Sequence, residues 1–449
     1  MSTKPALFAT AALAILSASG PFTAAAQSAD ILSHISAGKV AVISDGDFLA
    51  RTYADSILAP TEANYEDTLT VLYVANGTVT RSALPVSNSV TAAPEILALT
   101  PDGRTAFVTE RLGQRPAGAT TLQELPAGSR LFAIDLSDAA TPTLAATAEI
   151  GTYPEALAVS PDGRRVAVVS NTATQSLLQI VEYRDGAFGA VARFDLADLG
   201  ITGSAEGPRG GVTATNVHWH PSGRYLATNI NTQNRVAFFE IADGDAGPTL
   251  EAWGNVVETG RDPFVGRFTP DGRHYLTSNW GRDFAATDLE GRLPDRASTM
   301  SVIRLADPAA GGEHRRLTTV DTDVSAEGMA VSPDGRLVAT FNMRGTAFPP
   351  RSPRHGREAG LTLLSFDPDT GDLEKLDDYA FEAVLPEGGT FDLTGDHLLA
   401  TSFEAHAEPA GEVGAGLVVF RVVREARPRL ESLGRVPLPH GVHHVDVAP

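Results

Sequence analysis

One short phrase recurs along the chain and sets the period of everything around it. It reads Thr100-Pro101-Asp102-Gly103-Arg104, then Ser160-Pro161-Asp162-Gly163-Arg164, His220-Pro221-Ser222-Gly223-Arg224, Thr269-Pro270-Asp271-Gly272-Arg273 and Ser332-Pro333-Asp334-Gly335-Arg336. Each copy lies between two apolar runs. Proline presets φ and glycine supplies a positive φ, so the phrase is a tight turn joining two strands. A degenerate copy stands at Leu393-Thr394-Gly395-Asp396, and the chain stops at Pro449 where another would begin. The turn prolines lie 60, 60, 49 and 63 residues apart. Self-similarity at such a period, with four strand-like runs in each, is the signature of propeller blades.

Seven inner strands precede these turns, at 95–99, 155–159, 216–220, 265–268, 327–331, 389–393 and 443–448. The last has no partner after it. The runs 39–44, 68–75 and 78–85 have the opposite defect, a blade lacking its first strand. Joining the two ends completes a blade and removes both open edges. The expected fold is therefore all-β: a seven-bladed propeller of four-stranded antiparallel blades, closed by pairing of N- and C-terminal strands. It occupies residues 27–449 as one domain.

Residues 1–26 are expected to be a signal peptide. Lys4 precedes an apolar stretch over 6–20, and Ala24-Ala25-Ala26 suits a cleavage site. That predicts a periplasmic or secreted protein with no membrane span. The absence of cysteine excludes disulfides, thiolate catalysis and cysteine-linked haem. A net charge of −20 argues against nucleic acid as a partner.

Connections from second to third strands are long, at 45–67, 110–129, 281–299, 344–360 and 404–415, as is the segment 195–215. In an up-and-down blade they emerge on one face, where function is usually placed. The loop carrying Arg351, Arg354, His355 and Arg357 adds a basic patch there. With its turn phrases, and with Asn279 and Asn342 nine positions after their turn prolines, the chain resembles the exported propellers named after a Tyr-Val-Thr-Asn repeat. It is equally similar to lactonase-like propellers, the 6-phosphogluconolactonase and carboxymuconate-cyclising group. The resemblance implies polar and basic residues, often His, Arg and Glu, at the channel mouth. In that family a His commonly stands in an inner strand, where this chain mostly carries Glu.

Aligned on the turn prolines, the position six residues earlier holds Glu95, Glu155, Thr215, Phe264, Glu327 and His443, with Glu387 near the same level. Such a ring would mutually raise carboxylate pKa values, hold a cation, or cap loop backbone. Three residues before the turn stand Ala98, Ala158 and Ala330, but also His218 and Arg267, with Asn216 and His444 close in depth. A His beside an Arg can polarise a carbonyl. Two functions stay open. One is a hydrolase or isomerase of a small lactone or carboxylated substrate. There His218 is acid/base, Arg267 holds the oxyanion or a substrate carboxylate, and Glu155 or Glu327 activates water, while Glu95, Asn216, Glu387, His443 and His444 contact substrate. The other is a non-enzymatic binding or scaffold propeller for a protein or glycan. A non-catalytic subunit of a periplasmic dehydrogenase is a further alternative. No redox cofactor is expected, a divalent cation at the channel mouth stays open, and no metal ligand set is assigned.

Overall fold

The computed structural model describes residues 21–75, 77–89, 95–203, 208–245, 247–307, 311–406 and 414–449. The first twenty residues of the expected leader lie outside this set. A helix, Pro21–Ser33, opens the described chain. Its C-terminal part inserts Ile31 and Leu32 against Val436 and Leu72. No helix among the described residues is long and apolar enough to cross a membrane.

Seven antiparallel sheets surround one axis. From inside outwards, blade one is Leu97–Leu99, Thr105–Leu112, Ala127–Asp135 and Thr143–Glu149; blade two is Pro154–Val159, Arg165–Asn171, Ser176–Arg184 and Ala187–Asp195. The inner strands of blades three to six are Ala214–Trp219, Pro263–Phe268, Ala326–Val331 and Gly389–Phe391. Blade three carries an extra short strand, Val257–Glu258. Blade seven takes its inner strand, Val442–Ala448, from the C-terminus and its other three, Lys39–Ser44, Thr68–Ala75 and Thr78–Pro85, from the N-terminal part. The closing register runs from Lys39 opposite Ala448 to Ser44 opposite Val442.

The turn phrase works as its residues require. Gly103 has φ +64. The Asp102 carboxylate accepts from Thr100 Oγ1 (2.6 Å) and from the Arg104 N–H (3.0 Å). The Ser160–Asp162, Thr269–Asp271 and Ser332–Asp334 pairs repeat the bond. In the degenerate copy Asp392 replaces the hydroxyl and takes the Asp396 and His397 N–H groups itself. Its other oxygen accepts from Ser36 N–H (3.0 Å), which ties down the start of the first strand.

The core lies between blades rather than within them. Blades one and two meet through Phe107 and Tyr183, ring centres 4.8 Å apart and edge to face. Blades three and four meet through Phe238 and Tyr275 at 5.6 Å.

A second regularity matters more for the site. The ladder between first and second strands slips at the second residue of the inner strand, between Pro154/Ala156, Ala214/Asn216 and Ala326/Gly328, and across Pro263/Gly266. In blade seven it slips between Ile43/Ser44, leaving His443 unpaired. The bulged residues are Glu155, Thr215, Phe264, Glu327 and His443. A bulge frees a residue from its ladder and re-aims its side chain, so in five of the seven blades the level aligned from the turns is a bulge.

Gly441 begins the closing strand at φ +88, and its carbonyl accepts from the Asp45 N–H (2.9 Å). A Cβ there would overlap the Asp45 carbonyl. Gly441→Ala is expected to destabilise the fold by about 3 kcal/mol or more, from strain and overlap together. Denaturant titration reads this; a midpoint unchanged from wild type would mean the ring is not closed at this point.

Candidate functional site

The axial channel offers two cavities that share no lining residue. One, of about 440 Å³, is lined by the turn prolines Pro161, Pro221, Pro270 and Pro333 and opens on the tight-turn face. The other, of about 410 Å³, lies at the starts of the inner strands of blades two to four, under the long loops.

The turn-side cavity contains His218, Arg267, Glu95, His444 and Asp446, with Ala98, Ala158 and Ala330 as its small walls. Here Glu95 departs from the aligned ring. The inner ladder of blade one has no slip; instead the Glu95 carbonyl accepts from Leu157 N–H of blade two (2.9 Å). Its carboxylate crosses the axis and forms a two-pronged ion pair with Arg267, Nη1 lying 2.7 Å from Oε2 and Nη2 on Oε1. Asn216 Nδ2 donates to the same Oε2 (2.7 Å). Tyr275 O–H and the Gly266 N–H hold the Asn216 Oδ1. Arg267, Glu95 and Asn216 therefore satisfy one another.

His218 Nδ1 accepts from the Phe268 N–H at 3.4 Å. Burial pushes its pKa down to about 4, and the proximity of His220 adds to this. The neighbouring imidazole, His444, is pushed by burial and by the charge of Arg267 down to about 3. Both imidazoles are neutral at pH 7. His443 turns away and bonds through Nε2 to Asn88 Oδ1 (3.2 Å).

The loop-side cavity is built around the bulged residues Glu155, Thr215 and Phe264, with Arg111, Arg209, Arg282, Asn171, Tyr153 and Phe284. Arg111 Nη1 and Asn171 Nδ2 both donate to Glu155 Oε1, at 2.7 and 2.9 Å. Glu155 Oε2 and Arg111 Nε are buried without a partner. Burial raises the Glu155 pKa against the pull of Arg111. Arg282 is clamped by both oxygens of Asp262, at 2.8 and 3.0 Å, and its guanidinium lies 4.1 Å from the Trp280 ring centre and 4.5 Å from that of Phe264. Arg209 is fixed by the carbonyls of Val212 and Thr172 and by Thr213 Oγ1. Tyr153, Arg209 and Asp262 have φ of +53, +55 and +60. Such strain in side-chain-bearing residues collects where geometry is over-determined for function.

The structure thus separates residues that were grouped by sequence. His218, Arg267, Glu95 and His444 share one cavity, and Glu155 lines the other. Glu327 and Glu387 belong to neither lining; Arg282 acts on Glu327, and Tyr53 O–H donates to Glu387 Oε1 (2.8 Å). Sequence reading gave no role to Arg111 or Asp262. A signal for the arginine existed: Arg111, Arg282 and Arg344 recur ten to twelve residues after their turn prolines. The basic loop is structurally committed. Arg354 donates to the carbonyls of Leu293 and Pro294 and stacks on Phe348, and Arg357 pairs with Glu382. Among the described residues, the only three acidic or imidazole groups whose ligand atoms lie within 4.8 Å of one another are Asp45, Asp47 and Asp67.

No protein-family model matches the chain, and no curated protein does. Solved structures do. The periplasmic gluconolactonase of Pseudomonas aeruginosa superposes with a TM-score of 0.61 at 18% identity, over 92% of this chain and 99% of that one. A protein of Lactobacillus plantarum gives 0.62 at 14% identity, over 92% and 100%. A candidate 6-phosphogluconolactonase of Bacteroides uniformis gives 0.58 at 16%, over 91% and 99%. At these identities the likeness is one of fold: this chain is a seven-bladed propeller of the same architecture.

Buried titrating groups give stability a defined pH profile. His218 and His444 have folded pKa values below the unfolded 6.5, so each costs stability as pH falls from about 6.5 towards 4 and 3. Glu327 and Glu404, pushed by burial up to about 8 and about 7, contribute stability below about 4.5 that is lost as pH rises to those values. In chelator-containing buffer the Tm is expected to peak between about pH 5 and 6.5 and to fall on both sides. Calorimetry from pH 3 to 9 checks this; a Tm still rising below pH 4 contradicts it.

Proposed function

We propose that this protein is an exported lactonase-like hydrolase that opens a small lactone or carboxylated ring in the loop-side cavity. One observation carries the reading. The Arg111–Glu155 pair leaves a carboxylate oxygen and a guanidinium N–H unpartnered and buried, in a cleft lined by two further arginines. An unmet acceptor beside an unmet donor suits a group that both gives and takes a hydrogen bond, such as water. The fold shared with a periplasmic gluconolactonase supports the same class of chemistry, as analogy of scaffold rather than of site.

The steps follow from the groups present. Glu155 Oε2 takes a proton from water as the water oxygen bonds to the lactone carbonyl carbon. Arg111, Arg209 and Arg282 place positive charge where the carbonyl oxygen becomes negative. The ring C–O bond then breaks, and the departing oxygen receives the proton held by Glu155. The products sum to lactone plus water. Tyr153, Phe264 and Phe284 supply ring-sized apolar walls. The raised pKa of Glu155 makes it a stronger base than an exposed carboxylate, and its partner Arg111 keeps it ionised enough to act. Arg267 is spent on the Glu95 crossing and His218 lies in the turn-side cavity beyond it, so neither has a part in these steps. Export rests on the leader pattern of residues 1–26, and mass spectrometry of the secreted protein should find an N-terminus near Gln27.

Hydrolysis of a panel of aldono-lactones, followed by proton release, tests the reading. Glu155→Gln and Arg111→Met are each expected to lower kcat/KM by about 100-fold or more with Tm kept within a few degrees. His218→Gln should retain activity. Loss with His218→Gln and survival of Glu155→Gln would move the chemistry to the turn side and overturn this assignment. A folded wild type inert towards every lactone would leave a binding propeller.

A further inference from the structure

We infer that Glu327 and Glu387 together hold a hard divalent cation of the Ca²⁺ or Mg²⁺ type in the channel, at the junction of blades five and six. This stands apart from the hydrolase reading and does not need it.

The first ground is an imbalance of charge. Three buried carboxylates at the inner-strand starts and their loops each have a cation of their own: Glu155 has Arg111, Glu95 has Arg267, and Asp262 has Arg282. Glu327 and Glu387 are 2% and 6% exposed, and among the described residues no Lys, Arg or His forms an ion pair with either. Arg282 attracts Glu327 only at a distance, because both its prongs are spent on Asp262. Asp45 adds further negative charge at Glu387.

The second ground is unmet hydrogen bonding. Glu387 Oε1 is satisfied by the Tyr53 O–H, but Oε2 of Glu387 and Oε2 of Glu327 are both buried with no partner. Buried charges persist when paired or coordinating a metal, and each orphaned oxygen points to a missing positive ligand.

The third ground is backbone geometry. Glu327 is the bulged residue of its strand, and the next residue, Gly328, has no side chain between it and the Glu387 carbonyl. A Cβ at Gly328 would overlap that carbonyl oxygen. The two inner strands therefore come together where both carboxylates are presented, and each raises the other's cost of ionisation. Two carboxylates with water completing the shell are a sufficient set for Mg²⁺ or Ca²⁺, and an all-oxygen donor set disfavours zinc or copper.

The test is thermal unfolding of the full chain at pH 7.5 after chelation, then with CaCl₂, MgCl₂ or MnCl₂ from micromolar to several millimolar, alongside calorimetric titration of the same ions. Wild type is expected to bind one ion per chain and to gain about 3–5 °C near saturation. Glu387→Gln and Glu327→Gln should melt at or above metal-free wild type, since each removes the repulsion, yet gain nothing from the ions. Asp47→Asn, which alters the neighbouring Asp45–Asp67 cluster, should respond as wild type does. No stabilisation of wild type by any of the three ions overturns the proposal, leaving the two carboxyls to share a proton. An equal response in the Glu→Gln variants overturns it too, by placing the ion elsewhere.

Discussion

The pairing of Val442–Ala448 with Lys39–Ser44 is the contact on which the rest of the molecule stands. It joins segments some four hundred residues apart, so it carries the full entropy of closing the chain. Six blades alone would leave one apolar face of blade one and one of blade six uncovered, the faces that Leu69 and Val71, and Val40 and Leu72, now pack against. With the seventh in place the inner strands face one axis, and side chains from distant blades reach each other across it. Arg267 of blade four meets Glu95, next to blade one, only because the circle is complete. The Asp392–Ser36 and Asp45–Gly441 bonds fasten the same seam from both sides.

Within that circle the bulges decide what the channel contains. A regular ladder would leave Glu155, Thr215 and Glu327 as ordinary strand residues. One slipped residue per blade lifts them out of the hydrogen-bond ladder at the end where the long loops arrive. The second strand of blade one and the loops supply counter-charges: Arg111 for Glu155, and the Arg282–Asp262 pair beside Glu327. The scaffold thus contributes carboxylates at fixed places, and the loops decide how each is balanced. Where the balance is incomplete, as at Glu155 Oε2 or between Glu327 and Glu387, ligand chemistry is to be sought.

Most of the fold was legible because the turn phrase is local physics. Pro, Asp and Gly enforce one backbone path wherever they occur, and counting them counts blades. The seam was legible from its two incomplete halves, 39–85 and 443–448. The ring of aligned residues held for Glu155, Thr215, Phe264 and Glu327, since alignment on a turn preserves depth. It failed for Glu95, because blade one pairs there with blade two instead of bulging, and an alignment cannot register which neighbour a strand end chooses. Arg111 and Asp262 were invisible for a different reason. Arg111 falls at a slip in the outer ladder of the second strand of blade one, between Glu110 and Leu112, and Asp262 sits in a connection whose length varies between blades, where position relative to a turn no longer fixes position in space. His218 and Arg267 were rightly placed near one another, but their partners Phe268 and Glu95 absorb most of what they could offer.

The Glu95 crossing has a wider consequence. A carboxylate, a guanidinium and an amide laced across the axis act as a bulkhead, and the cavities on its two sides share no wall residue. The two ends of the axis therefore present different surroundings. Solutes entering from the loops and solutes entering from the turns meet different chemistry, a charged arginine cleft on one side and neutral imidazoles on the other. One scaffold thus offers two vestibules of contrasting chemistry, one at each end of its hub.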